Sequence, residues 1–343
     1  METMIAWNRV AAALVVALLA AGPALAQDKV RVSYSTETLA YVPYYMAQTL
    51  GYFDKFGIQV EGVKSDSGPK SLSAVISGNA EVLLGATTTP VAARKQGADI
   101  VLFAPIYSQY SSNIVISKKW QDKNKLTDKS SYEERLAALK GATIGITGPG
   151  SGTDQIVRYF ADAAKINADR DLTLVALGGD SSILLSAFSQ GRIDALAISA
   201  PTSHLAVRQF GGMILFNVGA GQVKVLDGYF QSGFAARGDW LKKNEAVAIR
   251  FTKAMQMSFD TLHDASKASQ TRDLIHKAYF PKIDADIFAE LWTEMTEAAP
   301  KTVELDRKMI AGIVDFANKF SKDQIDPGLI DAVYTNEIAR KAR

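Results

Sequence analysis

The sequence repeats itself at a spacing of 113 residues, and this repeat restricts the chain to folds with two similar halves. Residues 73–103 align with residues 186–216, and nine of the 31 aligned positions are identical. The identical pairs are Ser73/Ser186, Ala74/Ala187, Gly78/Gly191, Leu83/Leu196, Thr89/Thr202, Ala93/Ala206, Gln96/Gln209, Leu102/Leu215 and Phe103/Phe216. Because a turn glycine, a strand and a helix start coincide in this alignment, the repeat predicts two lobes of the same topology.

Within each half, short apolar runs alternate with segments of helical spacing. Val30–Tyr34, Glu81–Leu84, Ile100–Phe103 and Ala142–Ile146 are predicted strands. Strands separated by helices are typical of a parallel α/β sheet, in which ligands bind beyond the carboxyl ends of the strands. The predicted fold class is α/β, with two parallel or mixed sheets flanked by helices and a ligand cleft between two lobes. Segments of helical spacing without glycine loops, expected to pack around the lobes, lie at 244–263, 271–280, 285–297 and 305–320.

Two segments are placed to connect the lobes. Ser111–Ile116 reads as a strand that leaves the first lobe, and residues 228–234 are its match on the return path. Crossings are therefore expected near residues 110–118 and 228–238. The predicted boundaries assign residues 27–112 and 236–343 to lobe 1 and residues 113–235 to lobe 2.

The glycine-rich stretch from Gly145 to Phe160 is the strongest candidate for a binding loop. A predicted strand runs into it, and a helix starts near Ser151, with Asp154 three residues later in a pattern similar to a capping box and Thr153 as the competing N-cap. Unpaired N–H groups at a helix start can hold an anionic or polar ligand group. The stretch does not match a dinucleotide fingerprint, because Thr153 stands where glycine is needed, and it lacks the lysine of a P-loop. The alternative interpretation is a strand–helix turn that binds nothing.

The usual signatures of catalysis and metal binding are missing from the sequence. His204, His263 and His276 have no second ligand at the helical spacing of a zinc site. Pro149 and Thr153 replace the glycines that a nucleophile elbow around Ser151 would need. We therefore predict no catalytic residue, no metal site and no cofactor, and a protein that holds a ligand without transforming it.

The first 26 residues have the pattern of a cleaved signal peptide. Arg9 precedes an apolar run from Val10 to Ala21, and Ala24–Ala26 forms an A-x-A cleavage site. The alternative is a retained N-terminal anchor. The chain has no cysteine, which excludes disulfides and a lipidated cysteine, so a free periplasmic protein is expected. A net charge of +2 without a dense basic stripe gives no sign of nucleic-acid binding.

Several segments, in this order, resemble the periplasmic solute-binding proteins of ABC importers of the nitrate/sulfonate/taurine type, related to the thiamine-pyrimidine precursor family. They are Tyr44–Gln48, Gly51–Asp54, Ala74–Val82, Thr88–Pro90 and Gly150–Thr153. The resemblance implies a type II-like fold of two lobes that close over a small ligand, and a permease and an ATPase as partners. Carried over by position, it implies ligand contacts at Thr38, Tyr41, Thr87, Thr88, Ser151, Gly152 and Thr153, with Ser111 and Tyr229 near the crossings. Tyr41 is equally open to interpretation as an aromatic residue packed into its lobe.

The ligand class stays open at this level. Apart from Lys70, the loops expected to face the cleft contain no lysine or arginine, so a sulfonate or carboxylate would be held by helix N-termini and hydroxyl groups. Tyr41, Tyr44, Tyr107 and Tyr110 make an aromatic or pyrimidine ligand equally compatible. Two alternative functions remain, an enzyme of the thiamine-pyrimidine precursor type and a ligand sensor that docks to a receptor kinase.

Overall fold

Two five-stranded sheets form the centre of the fold. The computed structural model describes residues 27–221, 223, 226, 229–319, 326, 328 and 330–343. The predicted signal peptide, residues 1–26, and residue 228 of the predicted return crossing lie outside this range. The strands are β1 Asp28–Tyr34, β2 Ile58–Lys64, β3 Val82–Ala86, β4 Ile100–Tyr107, β5 Ser112–Ile116, β6 Thr143–Ile146, β7 Thr173–Ala176, β8 Ala195–Ser199, β9 Met213–Phe216 and β10 Ser232–Arg237.

Helices cover both faces of the two sheets, as expected for an α/β fold. They are α1 Val42–Thr49, α2 Tyr52–Lys55, α3 Gly68–Ile76, α4 Thr88–Lys95, α5 Lys118–Lys123, α6 Tyr132–Ala137, α7 Gly152–Ala163, α8 Ala168–Asp171, α9 Ser181–Ser189, α10 Thr202–Phe210, α11 Gly238–Lys243, α12 Glu245–Leu262, α13 Ala268–Tyr279, α14 Ala285–Ala298, α15 Arg307–Lys319, α16 Ile330–Val333 and α17 Glu337–Lys341. In the described part of the chain, no helix combines the length and the apolar character that a membrane span requires.

The two sheets have the same strand order. The first sheet is β2-β1-β3-β10-β4, and the second is β7-β6-β8-β5-β9. The elements α3, β3 and β4 start 113 residues before their counterparts α9, β8 and β9. Gly78 and Gly191, the paired turn glycines, both adopt a positive φ, of 79° and 67°. This conformation suits glycine, which explains why the repeat keeps it at both turns.

Each sheet takes one strand from the opposite half of the chain. The strand β5 leaves β4 and enters the second sheet, where it runs antiparallel to β8 and β9. The strand β10 returns from β9 to the first sheet, between β3 and β4. The predicted boundaries at 112/113 and 235/236 therefore need correction, because all of β5 belongs to the second sheet and all of β10 to the first. Pairing between distant strands decides this membership, and local sequence does not encode it.

Both faces of each sheet are buried. In β3, Val82 and Leu84 point into one apolar core of lobe 1, while Leu83 points into the other. The second sheet likewise separates two cores in lobe 2. The C-terminal helix α15 packs its Ile310 and Ile313 in lobe 1 but places Phe316 in the core of lobe 2. The C-terminal helices are therefore not confined to lobe 1.

Candidate functional site

A small cavity of about 50 Å³ lies between the lobes, beyond the carboxyl ends of the parallel strands. Of its described lining residues, eleven carry a hydroxyl group and none carries a charge. The lining is Ser35, Thr36, Thr38, Tyr41, Gly68, Ala86, Ser111, Ser112, Thr147, Ser151, Gly152, Thr153, Ile198, Ser199, Gln231 and Ser232. The structure thus brings together six residues expected at the site from the sequence, which are Thr38, Tyr41, Ser111, Ser151, Gly152 and Thr153. Their role as ligand contacts stays a prediction.

The helix α7 starts at this cavity, as the glycine-rich stretch predicts. The Ser151 side chain accepts a hydrogen bond from the Asp154 N–H at 3.3 Å and caps the helix. The Thr153 hydroxyl oxygen accepts from the Thr147 N–H at 2.9 Å and lies 2.8 Å from the Ser151 hydroxyl. The N–H groups of Gly152 and Thr153 lie in the first turn, where a helix offers no acceptor of its own. Because both residues line the cavity, these N–H groups can donate to a ligand there.

A buried carboxylate holds the loop that precedes α7. Asp154 is 4% exposed and accepts a hydrogen bond from the Gly150 N–H at 2.8 Å. Its other oxygen pairs with Arg158 at 3.0 Å. Gly150 has a φ of 73°, which glycine adopts without strain. The loop is therefore fixed by its own helix and not by the ligand.

Thr38 and Tyr41 reach the cavity from lobe 1. The Thr38 hydroxyl and the Leu39 N–H both donate to the Ala200 carbonyl of lobe 2, at 3.0 and 3.1 Å. Thr38 thus holds the lobes together as well as lining the cleft. Tyr41 is 5% exposed, and burial raises the pKa of its hydroxyl, which keeps it neutral.

Ser111 reaches the same cavity from the first crossing. Its hydroxyl lies 3.0 Å from that of Ser199. It also donates to the side-chain oxygen of Gln231 at 2.6 Å.

Three other predicted site residues do not line the cavity. Thr87 is fully buried, and its hydroxyl donates to the carbonyls of Phe230 and Gln231 at 2.8 and 3.1 Å, which fastens the return crossing. The Thr88 hydroxyl donates to Gln155 of α7 at 2.5 Å, a contact between the lobes outside the cavity.

Tyr229 is the third of these residues. Its ring packs edge-on against Phe316 at 5.2 Å, and burial raises its pKa to about 12. Its position near a crossing predicts a ligand contact, whereas in the structure its ring packs against α15, a helix much later in the chain.

Sequence reasoning passed over several of the lining residues. Ser35, Thr147 and Ser199 stand at or just after the ends of β1, β6 and β8, so the rule that ligands bind at strand ends could have found them. Gln231 precedes an antiparallel strand and had no such signal. A methyl group added at Gly152 would lie 2.9 Å from the Gln231 Nε2 atom and 3.2 Å from Ala86 Cβ. Glycine suits this position because lobe 1 and the return crossing lie close to the helix start, and not because of a positive φ.

Other cavities differ from the cleft in chemistry. A groove of about 650 Å³ lies outside it and has charged walls, where Lys70 pairs with Asp66 at 2.5 Å. A cavity of about 290 Å³ beside Glu294 opens at the other side of the crossings. His204 lines a narrow space behind the cleft, and burial lowers its pKa to about 4. Among the described residues no group of three or more His, Cys, Asp or Glu side chains could hold a metal ion.

Comparison with known proteins connects this architecture to binding proteins. Over 263 residues the chain is 25% identical to YtlA of Bacillus subtilis (strain 168), whose name describes a binding protein; the match covers 76% of this chain and 73% of YtlA. The fold is similar to that of the periplasmic nitrate-binding protein NrtA from Synechocystis PCC 6803, with a TM-score of 0.74, 14% identity and coverage of 92% and 88% of the two chains.

The periplasmic aliphatic sulphonate binding protein SsuA from Escherichia coli has the same fold, with a TM-score of 0.63, 20% identity and coverage of 85% and 91%. The two-lobed periplasmic binding protein fold expected from the sequence is thereby confirmed. The model of the NMT1-like family matches residues 24–276, most of the chain. The chain belongs to the NMT1-like family.

Proposed function

We propose that this protein binds a small oxygen-rich anion, such as a sulfonate, a carboxylate or nitrate, in the periplasm and delivers it to the permease and ATPase of an ABC importer. The observation that carries the proposal is the interlobe cavity, with eleven hydroxyl groups and no charged side chain among its described lining residues. Relatives of the same fold are named for binding sulphonate and nitrate, which supports an oxygen-rich anion as the ligand class.

The cavity suits an anion because its donors are neutral and already oriented. The helices α3 and α7 begin at Gly68 and Gly152, one in each lobe, and both glycines line the cavity. The positive ends of two helix dipoles therefore face the same space. A ligand held this way loses its hydration without needing a lysine or arginine, since hydroxyl and N–H groups replace the water.

An enzyme on the same fold is less well supported. Catalysis of the pyrimidine-forming type would need a reactive histidine or lysine at the ligand, and the described lining of the cleft includes neither. A receptor-docking sensor would use the same cleft, and the genes next to this one would distinguish it from an importer component.

Thermal melting with a ligand panel tests the proposal. A ligand that binds only the folded protein adds about 2.7 kcal/mol of stability at a hundredfold excess over its Kd. We expect one or more of the sulfonates, nitrate or carboxylates to raise the melting temperature, and native mass spectrometry to show a one-to-one complex. A flat response to all of these acids, with a rise for a pyrimidine alone, would contradict the anion assignment.

A further inference from the structure

We propose that Gln231 determines specificity in the cleft, because its fixed amide offers a hydrogen-bond donor, and only a donor, to an anionic oxygen of the ligand. The inference rests on the proposed function and deepens it. Gln231 is 6% exposed, lines the cavity and lies on the return crossing immediately before β10.

Ser111 fixes which end of the Gln231 amide is oxygen. The backbone N–H of Ser111 lies 2.6 Å from Oε1, and its hydroxyl donates to the same atom at 2.6 Å. A backbone N–H can only donate. A flipped amide would therefore place the Gln231 NH₂ group against the Ser111 N–H, two donors facing each other in a buried place. The two bonds also use the acceptor capacity of Oε1, so this oxygen has nothing left for a ligand.

The amide nitrogen is left with a hydrogen for the ligand. The Tyr110 hydroxyl donates to the Gly152 carbonyl at 2.6 Å and is hydrogen-bonded to the Gln231 side chain, so it can receive one of the two Nε2 hydrogens. A methyl group added at Gly152 would lie 2.9 Å from Nε2, so this nitrogen sits against the first turn of α7. Because Gln231, Gly152 and Thr153 all line the cavity, the second hydrogen can be donated there together with the N–H groups of Gly152 and Thr153.

The floor of the cleft therefore favours ligand groups that accept hydrogen bonds. A sulfonate, nitrate or carboxylate oxygen can accept from all three N–H groups, whereas an ammonium group would place hydrogen against hydrogen. A site built to hydrogen-bond one group strongly rejects an analogue that leaves its buried polar atoms unpaired.

The variant Gln231→Glu tests this directly, because a carboxylate has the same shape but no hydrogen to donate at neutral pH. Calorimetry at pH 7.5 with ethanesulfonate, benzenesulfonate and nitrate should show a loss of affinity of at least about 100-fold relative to the wild type. Gln190→Glu, which adds the same charge on an exposed helix end, should bind like the wild type.

Acidification separates a donor role from a structural one. All three probes stay ionised at pH 4.5, whereas a buried carboxyl next to a bound anion becomes protonated and can donate. Affinity of Gln231→Glu should therefore rise about tenfold or more between pH 7.5 and 4.5, and Gln231→Leu should stay weak at both values. Melting curves at each pH confirm that the variants remain folded.

The outcomes distinguish this inference from the proposed function. Wild-type binding together with equal binding by Gln231→Glu at pH 7.5 would overturn the inference alone. The same recovery at pH 4.5 in Gln231→Leu would also overturn it, because leucine has no proton to offer. A wild type that binds none of these three probes and none of the carboxylates would refute the anion-binding function and the inference with it.

Discussion

At the scale of single residues, the half-buried His204 links the stability of the fold to pH. It reaches from lobe 2 into a space lined by Leu39, Leu291 and Glu294 of lobe 1. Burial and the neighbouring Arg208 lower its pKa to about 4, while an unfolded histidine titrates near 6.5. The folded protein therefore disfavours the charged ring at the lobe interface.

The stability of the protein should fall as the pH drops from 7 to 4. Over this range the unfolded chain takes up a proton on His204 and the folded chain does not, so the loss is on the order of 3 kcal/mol and levels off below pH 4. Urea unfolding at several pH values measures this loss, and His204→Gln should flatten the slope. Burial and nearby glutamates raise the pKa of Glu294, which acts in the opposite direction, so Glu294→Gln should steepen the slope. Equal slopes in the wild type and His204→Gln would disprove this assignment.

The site could be predicted from sequence only where local pattern carries it. The strand before the glycine loop and the cap at Ser151 are local, and both are found where the sequence predicts them. The position of Gln231 depends on Ser111 and Gly152, which lie far from it in the chain, so no local pattern marks it. The same cause applies to Tyr229, whose neighbour Phe316 comes from α15 and could not be read from local sequence.

At the scale of elements, the start of α7 depends on one buried carboxylate. Asp154 holds Gly150 and Arg158, whereas Asp169, the other partner of Arg158, has a side chain that is 73% exposed. Asp154→Ala should cost about 1–3 kcal/mol of unfolding free energy, because it removes a buried carboxylate that accepts hydrogen bonds from both the Gly150 N–H and the Arg158 guanidinium. Asp169→Ala should cost less than about 1 kcal/mol, as exposed ion pairs do. Urea unfolding compares the two, and equal losses would show that the loop does not depend on Asp154.

The sequence predicts the strands and helices, but it does not predict the order of the strands in the sheets. The alternating pattern gave the α/β class, and the family comparison confirms it. The register of β5 between β8 and β9, and of β10 between β3 and β4, depends on contacts across the whole chain. For that reason the predicted lobe boundaries fall inside β5 and β10.

At the scale of the whole molecule, closure of the lobes requires glycine at one rim of the cleft. A methyl group added at Gly179 of lobe 2 would lie 2.0 Å from the carbonyl oxygen of Ser35 in lobe 1, far inside van der Waals contact. Backbone atoms cannot move aside as a flexible side chain can. A residue larger than glycine at this position is therefore incompatible with the arrangement of the lobes described here.

Gly179→Ala should hold the lobes apart. We expect a larger radius of gyration in small-angle X-ray scattering and ligand binding weakened about tenfold or more, with a melting temperature near that of the wild type. Gly312→Ala is the matched control, because nothing lies within 4 Å of a methyl group added there. A Gly179→Ala protein with the same dimensions and affinity as the control would show that this contact does not limit closure.

The exchange of β5 and β10 also bears on the origin of the chain. One repeat supplies four strands to its own sheet and sends its fifth to the sheet of the other repeat. Two separate copies of such a unit could complete each other only by trading that strand, which is how domain-swapped dimers form. The present polypeptide has the architecture of two swapped subunits joined end to end, and the cleft lies where the interface of such a dimer would lie.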